Sequence, residues 1–269
     1  MPKVVVCDLD NTLVTRHENI SSYTKETIKS LHKQSVLFSI ASGRPYCQIK
    51  PLIDSWQIHV DFVIGSNGCE LVDINNNTTD TYFLLKPEWV KEIIEYMKPF
   101  KANAMMVIDG KQTVQYVDDE VIGSSKYLGL LPRQIDDISE FYIENAKIMF
   151  RLDPSQMKEC EEYVDKLNSP YYKGFKTQAY LMEFANKNVS KAYALNKYLI
   201  RNNLNKDAVW AFGDTSNDID LLTFAGRGIC MLNGTDDVKK IADDVTDKTC
   251  ADSGFADYIN KKLFGEKND

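Results

Sequence analysis

Short apolar runs alternate with amphipathic stretches at both ends of this chain, and the rhythm breaks in the middle. Lys3 to Asp8 is a β-branched run that reads as a buried strand. Ser21 to Gln34 opens on capping residues and carries Ile28 and Leu31 further on, which predicts a helix. Val36 to Ala41 is a second apolar strand. Ser42-Gly43-Arg44-Pro45 ends it, and Pro45 suits the first turn of another helix. Phe62 to Ile64 is a third strand. Strands alternating with helices predict a parallel sheet.

After Gly65 the pattern changes. Glu70 to Leu85 reads as a hairpin turning at Asn75-Asn76-Asn77. Pro87 opens a helix to about Lys98. Short strands follow over Asn103–Asp109 and Gln112–Val117, with more over Lys147–Leu152 and Tyr180–Phe184, and a helix over Pro154–Leu167. From Ser190 the alternation resumes: a helix to Asn202, a strand Ala208–Gly213, a helix from Asn217, a strand Gly228–Met231, and helices from near Thr235 and Asp252. The expected fold is α/β, with a doubly wound, Rossmann-like parallel-sheet core over 1–83 and 188–269. An inserted α+β domain is expected over 84–187. No internal repeat or low-complexity linker interrupts this plan.

Composition narrows the function classes. The 269 residues are 43% hydrophobic and 26% charged, enough apolar content for a sizeable core. The formal net charge of -7 argues against a nucleic-acid partner held by counterion release and against a basic membrane surface. No apolar stretch approaches the ~20 residues of a membrane span, and none has the form of a signal peptide. Cys7, Cys47, Cys69, Cys160, Cys230 and Cys250 are spread without a paired motif, so they read as reduced, mostly buried thiols of a cytoplasmic protein. His17, His32 and His59 are scattered along the chain and read as neither catalytic nor zinc-binding.

The candidate chemistry sits where the strands end, the usual place for sites in doubly wound sheets. Asp8 and Asp10 follow the first strand, two residues apart. An extended segment would aim both carboxylates one way, where they repel unless a cation such as Mg²⁺ lies between them. Taken alone, the pair could equally be turn aspartates capping a helix. Ser42 and the Gly43 amide end the second strand, where they could hold phosphate oxygens or simply cap the helix that follows. Asp214 and Asp218, after Gly213, add two carboxylates. Gly213 is expected to permit a tight turn there. Lys191, at a helix start, could supply positive charge to a phosphate or merely face solvent. Arg151, Lys173 and Lys176 are candidates for a second anionic group, and the tyrosine-rich run Tyr171–Tyr180 fits either a substrate pocket or sheet packing.

Four segments together, Asp8-Leu9-Asp10-Asn11-Thr12-Leu13, Ala41-Ser42-Gly43-Arg44, Asn188-Val189-Ser190-Lys191 and Phe212-Gly213-Asp214-Thr215-Ser216-Asn217-Asp218, resemble the haloacid dehalogenase superfamily, and within it the Cof-type phosphatases. Asn233-Gly234, Val238-Lys239 and Ala242-Asp243 are also similar to that family. The insert resembles its type-B C2 cap by position and length. The resemblance implies a Mg²⁺-dependent phosphatase acting on small phosphate esters, such as sugar phosphates, pyridoxal phosphate or flavin mononucleotide, with a cap that closes over the substrate. It implies Asp8 as nucleophile and Asp10 as general acid and base. Mg²⁺ would be held by Asp8, Asp214, Asp218 and the Asp10 carbonyl. Phosphate would be held by Ser42, Gly43, Lys191 and Asn217. Asn11 and Asn188 stand where many relatives have glycine, and asparagine tolerates the left-handed turns this implies.

Three other readings share parts of this pattern. A phosphomutase would use the same phospho-aspartate. A receiver-like signalling module would share the aspartates and the lysine, but Asp10 and the insert argue against it. A P-loop kinase lacks its G-x-x-x-x-G-K-[ST] motif here. Oligomeric state is left open by the sequence.

Overall fold

A computed structural model describes residues 1–15 and 19–265; His17 lies outside the described residues. The first stretch runs β1 (Val4–Cys7), α1 (Ser22–Lys33), β2 (Leu37–Ala41), α2 (Tyr46–Trp56), β3 (Phe62–Gly65), β4 (Glu70–Asp73) and β5 (Thr78–Thr81). The middle runs α3 (Pro87–Tyr96), β6 (Asn103–Ile108), β7 (Lys111–Val114), α4 (Asp119–Leu128), β8 (Leu131–Gln134), β9 (Lys147–Arg151), α5 (Met157–Val164), β10 (Tyr172–Gln178) and β11 (Leu181–Asn186). The last stretch runs α6 (Lys191–Arg201), β12 (Val209–Gly213), α7 (Ile219–Phe224), β13 (Arg227–Cys230), α8 (Asp236–Ile241), β14 (Asp244–Val245) and α9 (Gly254–Ile259).

Two compact units result: Met1–Tyr82 with Ser190–Asp269, and Phe83–Val189. The first holds an eight-stranded sheet ordered β14-β13-β12-β1-β2-β3-β4-β5, parallel from β14 to β3. The hairpin read at Glu70–Leu85 is β4–β5, and it extends this sheet antiparallel at one edge. The strand period of two splits the sheet into two faces. Val5, Cys7, Phe38 and Ile40 pack with Ile28, Leu31, Ile49 and Phe255 from α1, α2 and α9. Val4, Val6 and Ala41 pack with Ala194, Leu195, Leu221 and Val238 from α6, α7 and α8. With both faces covered, the central strands are apolar except for the buried Ser39 of β2.

Helix ends follow the capping rules. The Ser21 hydroxyl accepts from the Thr24 amide at the start of α1, and Ser190 does the same for Tyr193 in α6. Pro45 stands at the N-cap of α2, one place before the expected first turn. Asn11 is left-handed, with φ 63°, whereas Asn188 is not among the left-handed residues; its amide donates to Asn186 Oδ1 at 3.0 Å.

The middle unit is a six-stranded sheet ordered β10-β11-β9-β6-β7-β8. One face is covered by α3 and α5 through Val90, Ile93, Met157 and Cys160 against Met106, Ile148, Phe150 and Phe184. Among the described residues, no helix is long and apolar enough to cross a membrane. All six cysteines are free thiols, and every one but the half-buried Cys47 is buried.

Candidate active site

Three parallel strands deliver their next residues to one edge of the core sheet. β1 pairs with β2 so that Cys7 faces Ile40, and with β12 so that Cys7 faces Phe212. Asp8, Ser42 and Asp214 therefore each follow a strand at its carboxyl end. The Asp8 amide continues the ladder to the Phe212 carbonyl at 2.9 Å.

Asp8, Asp214 and Asp218 are buried, and one oxygen from each lies within 4.8 Å of the others. Lys191 enters the cluster from α6 with no exposed side-chain surface. Its Nζ donates to Asp8 Oδ1 and Asp218 Oδ1, both at 2.6 Å. Asp220 fixes the start of α6 by accepting from the Ser190 hydroxyl at 2.5 Å and the Ala192 amide at 3.3 Å. Gly68, at φ +104°, lets the segment after β3 abut the same turn; a Cβ there would lie 2.1 Å from the Ser190 carbonyl.

The electrostatics show a cluster short of positive charge. Burial, then the neighbouring Asp218, pushes the Asp8 carboxyl well above its usual range. The same two causes lift Asp214 to about 6, with the Thr12 hydroxyl and Lys191 pulling the other way. Burial alone would lower the Lys191 ammonium, but Asp218 and Asp8 more than reverse this and raise it. Three carboxylates facing one ammonium leave two negative charges uncompensated, which matches the charge of a divalent cation.

Asp218 is heavily engaged. Its Oδ2 accepts from the Asp214 amide at 3.0 Å and the Thr215 amide at 3.3 Å, while Oδ1 takes Lys191. This explains Gly213. Its backbone is not left-handed, contrary to the expectation of a special turn; a Cβ there would stand 2.5 Å from Asp218 Cβ and 2.6 Å from its Cγ. Gly213→Ala is accordingly expected to lower unfolding free energy by ~1–3 kcal/mol, the usual range for overpacking. A urea melt unchanged from that of the native chain would refute this account.

Asp10 turns elsewhere. Its carboxylate receives Arg44 Nε at 2.8 Å and Nη2 at 2.5 Å. The crowded carboxylates are thus Asp8, Asp214 and Asp218, and the strand-spacing argument that paired Asp8 with Asp10 does not describe them. Ser42 is buried and its hydroxyl accepts from the Arg44 amide at 3.1 Å. Gly43 and Asn217 meet through Asn67: a Cβ on Gly43 would lie 3.2 Å from Asn67 Oδ1, which also accepts from Asn217 Nδ2 at 3.1 Å.

Four contributors carry no role in the sequence reading. Thr12 donates to Asp214 Oδ1 at 3.0 Å, Arg44 clamps Asp10, Asn67 joins Gly43 to Asn217, and Asp220 seats α6. Thr12 and Arg44 lie inside the segments that carry the family resemblance, and Asn67 follows the third parallel strand. Asn233, given no role either, donates to the Asn11 carbonyl at 2.8 Å and accepts from the Cys250 amide at 2.7 Å, bracing the loop after β1.

A family model described as haloacid dehalogenase-like hydrolase matches residues 5–259. The chain belongs to the haloacid dehalogenase-like hydrolases. This hydrolase is 23% identical over 266 residues to the 5-amino-6-(5-phospho-D-ribitylamino)uracil phosphatase YitU of Bacillus subtilis, covering 97% of each chain. It superposes on a haloacid dehalogenase-like hydrolase from Bacteroides thetaiotaomicron with a TM-score of 0.87 at 24% identity, covering 97% of this chain and 99% of that one. A Thermotoga maritima protein matches with a TM-score of 0.86 at 26% identity, covering 97% of each. The doubly wound core with an insert is therefore the fold of this hydrolase and of its structural relatives.

Proposed function

We propose that this hydrolase removes phosphate from small phosphomonoesters with Mg²⁺ bound, through an aspartyl-phosphate on Asp8. The observation that carries this reading is the buried cluster of Asp8, Asp214 and Asp218 around Lys191 at the carboxyl edge of the sheet. The donor set suits the metal: Mg²⁺ is a hard ion that takes carboxylate oxygens and keeps several waters. Asp8 and Asp214 would hold it with the Asp10 carbonyl. Asp218, whose oxygens already take Lys191 and two amides, would contribute more by fixing Lys191 than by direct ligation. The bound ion would offset the charge of a phosphate dianion approaching a carboxylate.

An Asp8 oxygen attacks phosphorus as the bond from phosphorus to the ester oxygen breaks, and Asp10 gives that oxygen a proton. Asp10 then takes a proton from water, the water oxygen attacks phosphorus, and the bond to Asp8 breaks to release inorganic phosphate. Ser42, the Gly43 amide, Lys191 and Asn217 hold the phosphoryl oxygens. Arg44 orients Asp10. Arg44→Ala is expected to lower kcat by ~10²-fold, the scale of lost positioning. An unchanged kcat would remove Arg44 from the mechanism.

The substrate class proposed is a sugar phosphate or cofactor phosphate, and the Bacillus relative, named for a ribitylamino phosphate, makes sugar-like phosphates the first to try. Recognition of the organic part is assigned to the inserted segment 84–187, acting as a cap domain, in a cytoplasmic setting. The test is inorganic phosphate release from a panel of phosphorylated metabolites, with Mg²⁺ and after its removal. Release that requires the metal is expected. An isomeric ester in place of phosphate would mark a mutase, and turnover indifferent to metal would contradict the proposal.

A further inference from the structure

The opposite edge of the core sheet carries a second convergence of ligating groups. Asp61 stands at the amino end of β3. His32 lies in the last turn of α1, and His59 lies two residues before Asp61. His32 Nε2 is 3.0 Å from Asp61 Oδ2, and His59 Nε2 is 3.3 Å from Asp61 Oδ1. The two imidazole rings stand 5.0 Å apart at 57°. The two ring nitrogens and one carboxylate oxygen all lie within 4.8 Å of one another.

Asp61 does not need both imidazoles for its own burial. The Phe38 amide donates to its Oδ2 at 2.8 Å and Asn75 Nδ2 to its Oδ1 at 2.8 Å. Its main chain is held as well: its amide donates to Phe38 O at 2.9 Å and its carbonyl accepts from Ile74 N at 3.0 Å. The carboxylate is therefore a rigid donor set by β2, β3 and the turn after β4. His59 is more than half exposed, so the cluster is reached from solvent on that side.

We propose that His32, His59 and Asp61 form a binding site for a borderline transition-metal ion, Zn²⁺ or a near neighbour. Two imidazoles and a carboxylate, with a position left for water, are a standard ligand set for such ions. Mg²⁺ avoids imidazole, so this site and the carboxylate cluster select different metals. Each imidazole moves its proton to Nδ1, and the lone pairs freed on both Nε2 atoms and on Asp61 turn to the ion. The bound ion ties the end of α1 to the start of β3, so its effect falls on stability and not on turnover.

The probe is Zn²⁺ alone, titrated by calorimetry into the full chain under reducing conditions with saturating Mg²⁺, alongside Co²⁺ followed by its visible absorption. One equivalent is expected to bind, with a rise in Tm. His59→Ala, at an exposed position, is expected to weaken binding by at least ~10-fold and abolish the Tm shift while leaving Mg²⁺-dependent turnover unchanged. His32→Ala should lose the same signal. Absence of binding, or binding of equal strength in His59→Ala, overturns the site. Neither result bears on the proposed phosphatase chemistry, which uses none of these three residues.

Discussion

Asp8→Asn will abolish turnover while leaving the chain folded. Asparagine matches aspartate in shape, and its amide oxygen can still accept from Lys191, so the cluster keeps its packing. It cannot provide an anionic oxygen to attack phosphorus. Removing a nucleophile from an enzyme that works through a covalent intermediate costs a factor on the order of 10⁴ to 10⁶ in kcat. The substitution also removes one of three crowded carboxylates, two of which burial and mutual repulsion already hold above their normal range. Thermal stability without Mg²⁺ is therefore expected to hold or rise as activity disappears. Phosphate release and a melting curve on one preparation check both halves. Normal release by a folded Asp8→Asn chain would end the nucleophile assignment.

The parts of the fold that are legible in sequence are those where one physical signal dominates. β1, β2, β3 and β12 are apolar, Ser39 aside, because helices cover both faces, and each stops at a polar residue or glycine. Ser21 and Ser190 mark helix starts because their hydroxyls satisfy a free amide. α4, β8 and β10 are hidden for matching reasons. α4 mixes Gly123, Ser124 and Ser125 into its interior. β8 is an exposed edge strand reading Leu131-Pro132-Arg133-Gln134, and proline is tolerated there because an edge leaves amides unpaired. β10 is partly exposed and reads as polar, with Lys173, Gly174, Lys176 and Thr177. Its Tyr172 packs in the core of that unit, so sheet packing accounts for this part of the tyrosine-rich run.

The candidate site divides in the same way. Its charged residues stand at strand ends and helix starts, where spacing exposes them. The groups that hold them in place come from distant segments through single tertiary contacts. Thr12 reaches Asp214 across 202 residues and Asn217 reaches Asn67 across 150, and no local pattern encodes either pairing. Arg151 shows the converse. The sequence offers it as a ligand for an anion; its Nη2 donates to Ser124 at 2.9 Å and Nη1 lies 3.6 Å from Asp118 in α4's N-cap, while Nε and Nη1 are buried without a hydrogen-bond partner among the described residues. Lys176 likewise pairs with Glu161. His32 and His59 are 27 positions apart, and only the packing of α1 beside β3 brings them to one carboxylate.

Lys191→Met separates charge from bulk at the centre of the cluster. Methionine fills most of the lysine stem and keeps the start of α6, whose capping by Ser190 and Asp220 does not involve this side chain. The ammonium is lost, and Asp8, Asp214 and Asp218 are left buried with no cation among them. Breaking a buried ion pair by removing one partner typically costs ~3–5 kcal/mol, because the remaining charge keeps its desolvation penalty. Here two carboxylates lose their partner at once, and part of the loss is relieved by proton uptake on those with raised affinity. A large fall in Tm is expected without Mg²⁺ and a smaller one with it, since a divalent cation restores much of the missing charge. Turnover is expected to fall by at least ~10²-fold even with Mg²⁺ saturating, because the metal cannot replace the donor that Lys191 is proposed to offer the phosphoryl oxygens. The contrast between the two Tm shifts is the decisive measurement. A deficit that Mg²⁺ leaves unchanged would mean that Asp8 and Asp214 do not form a cation site beside Lys191.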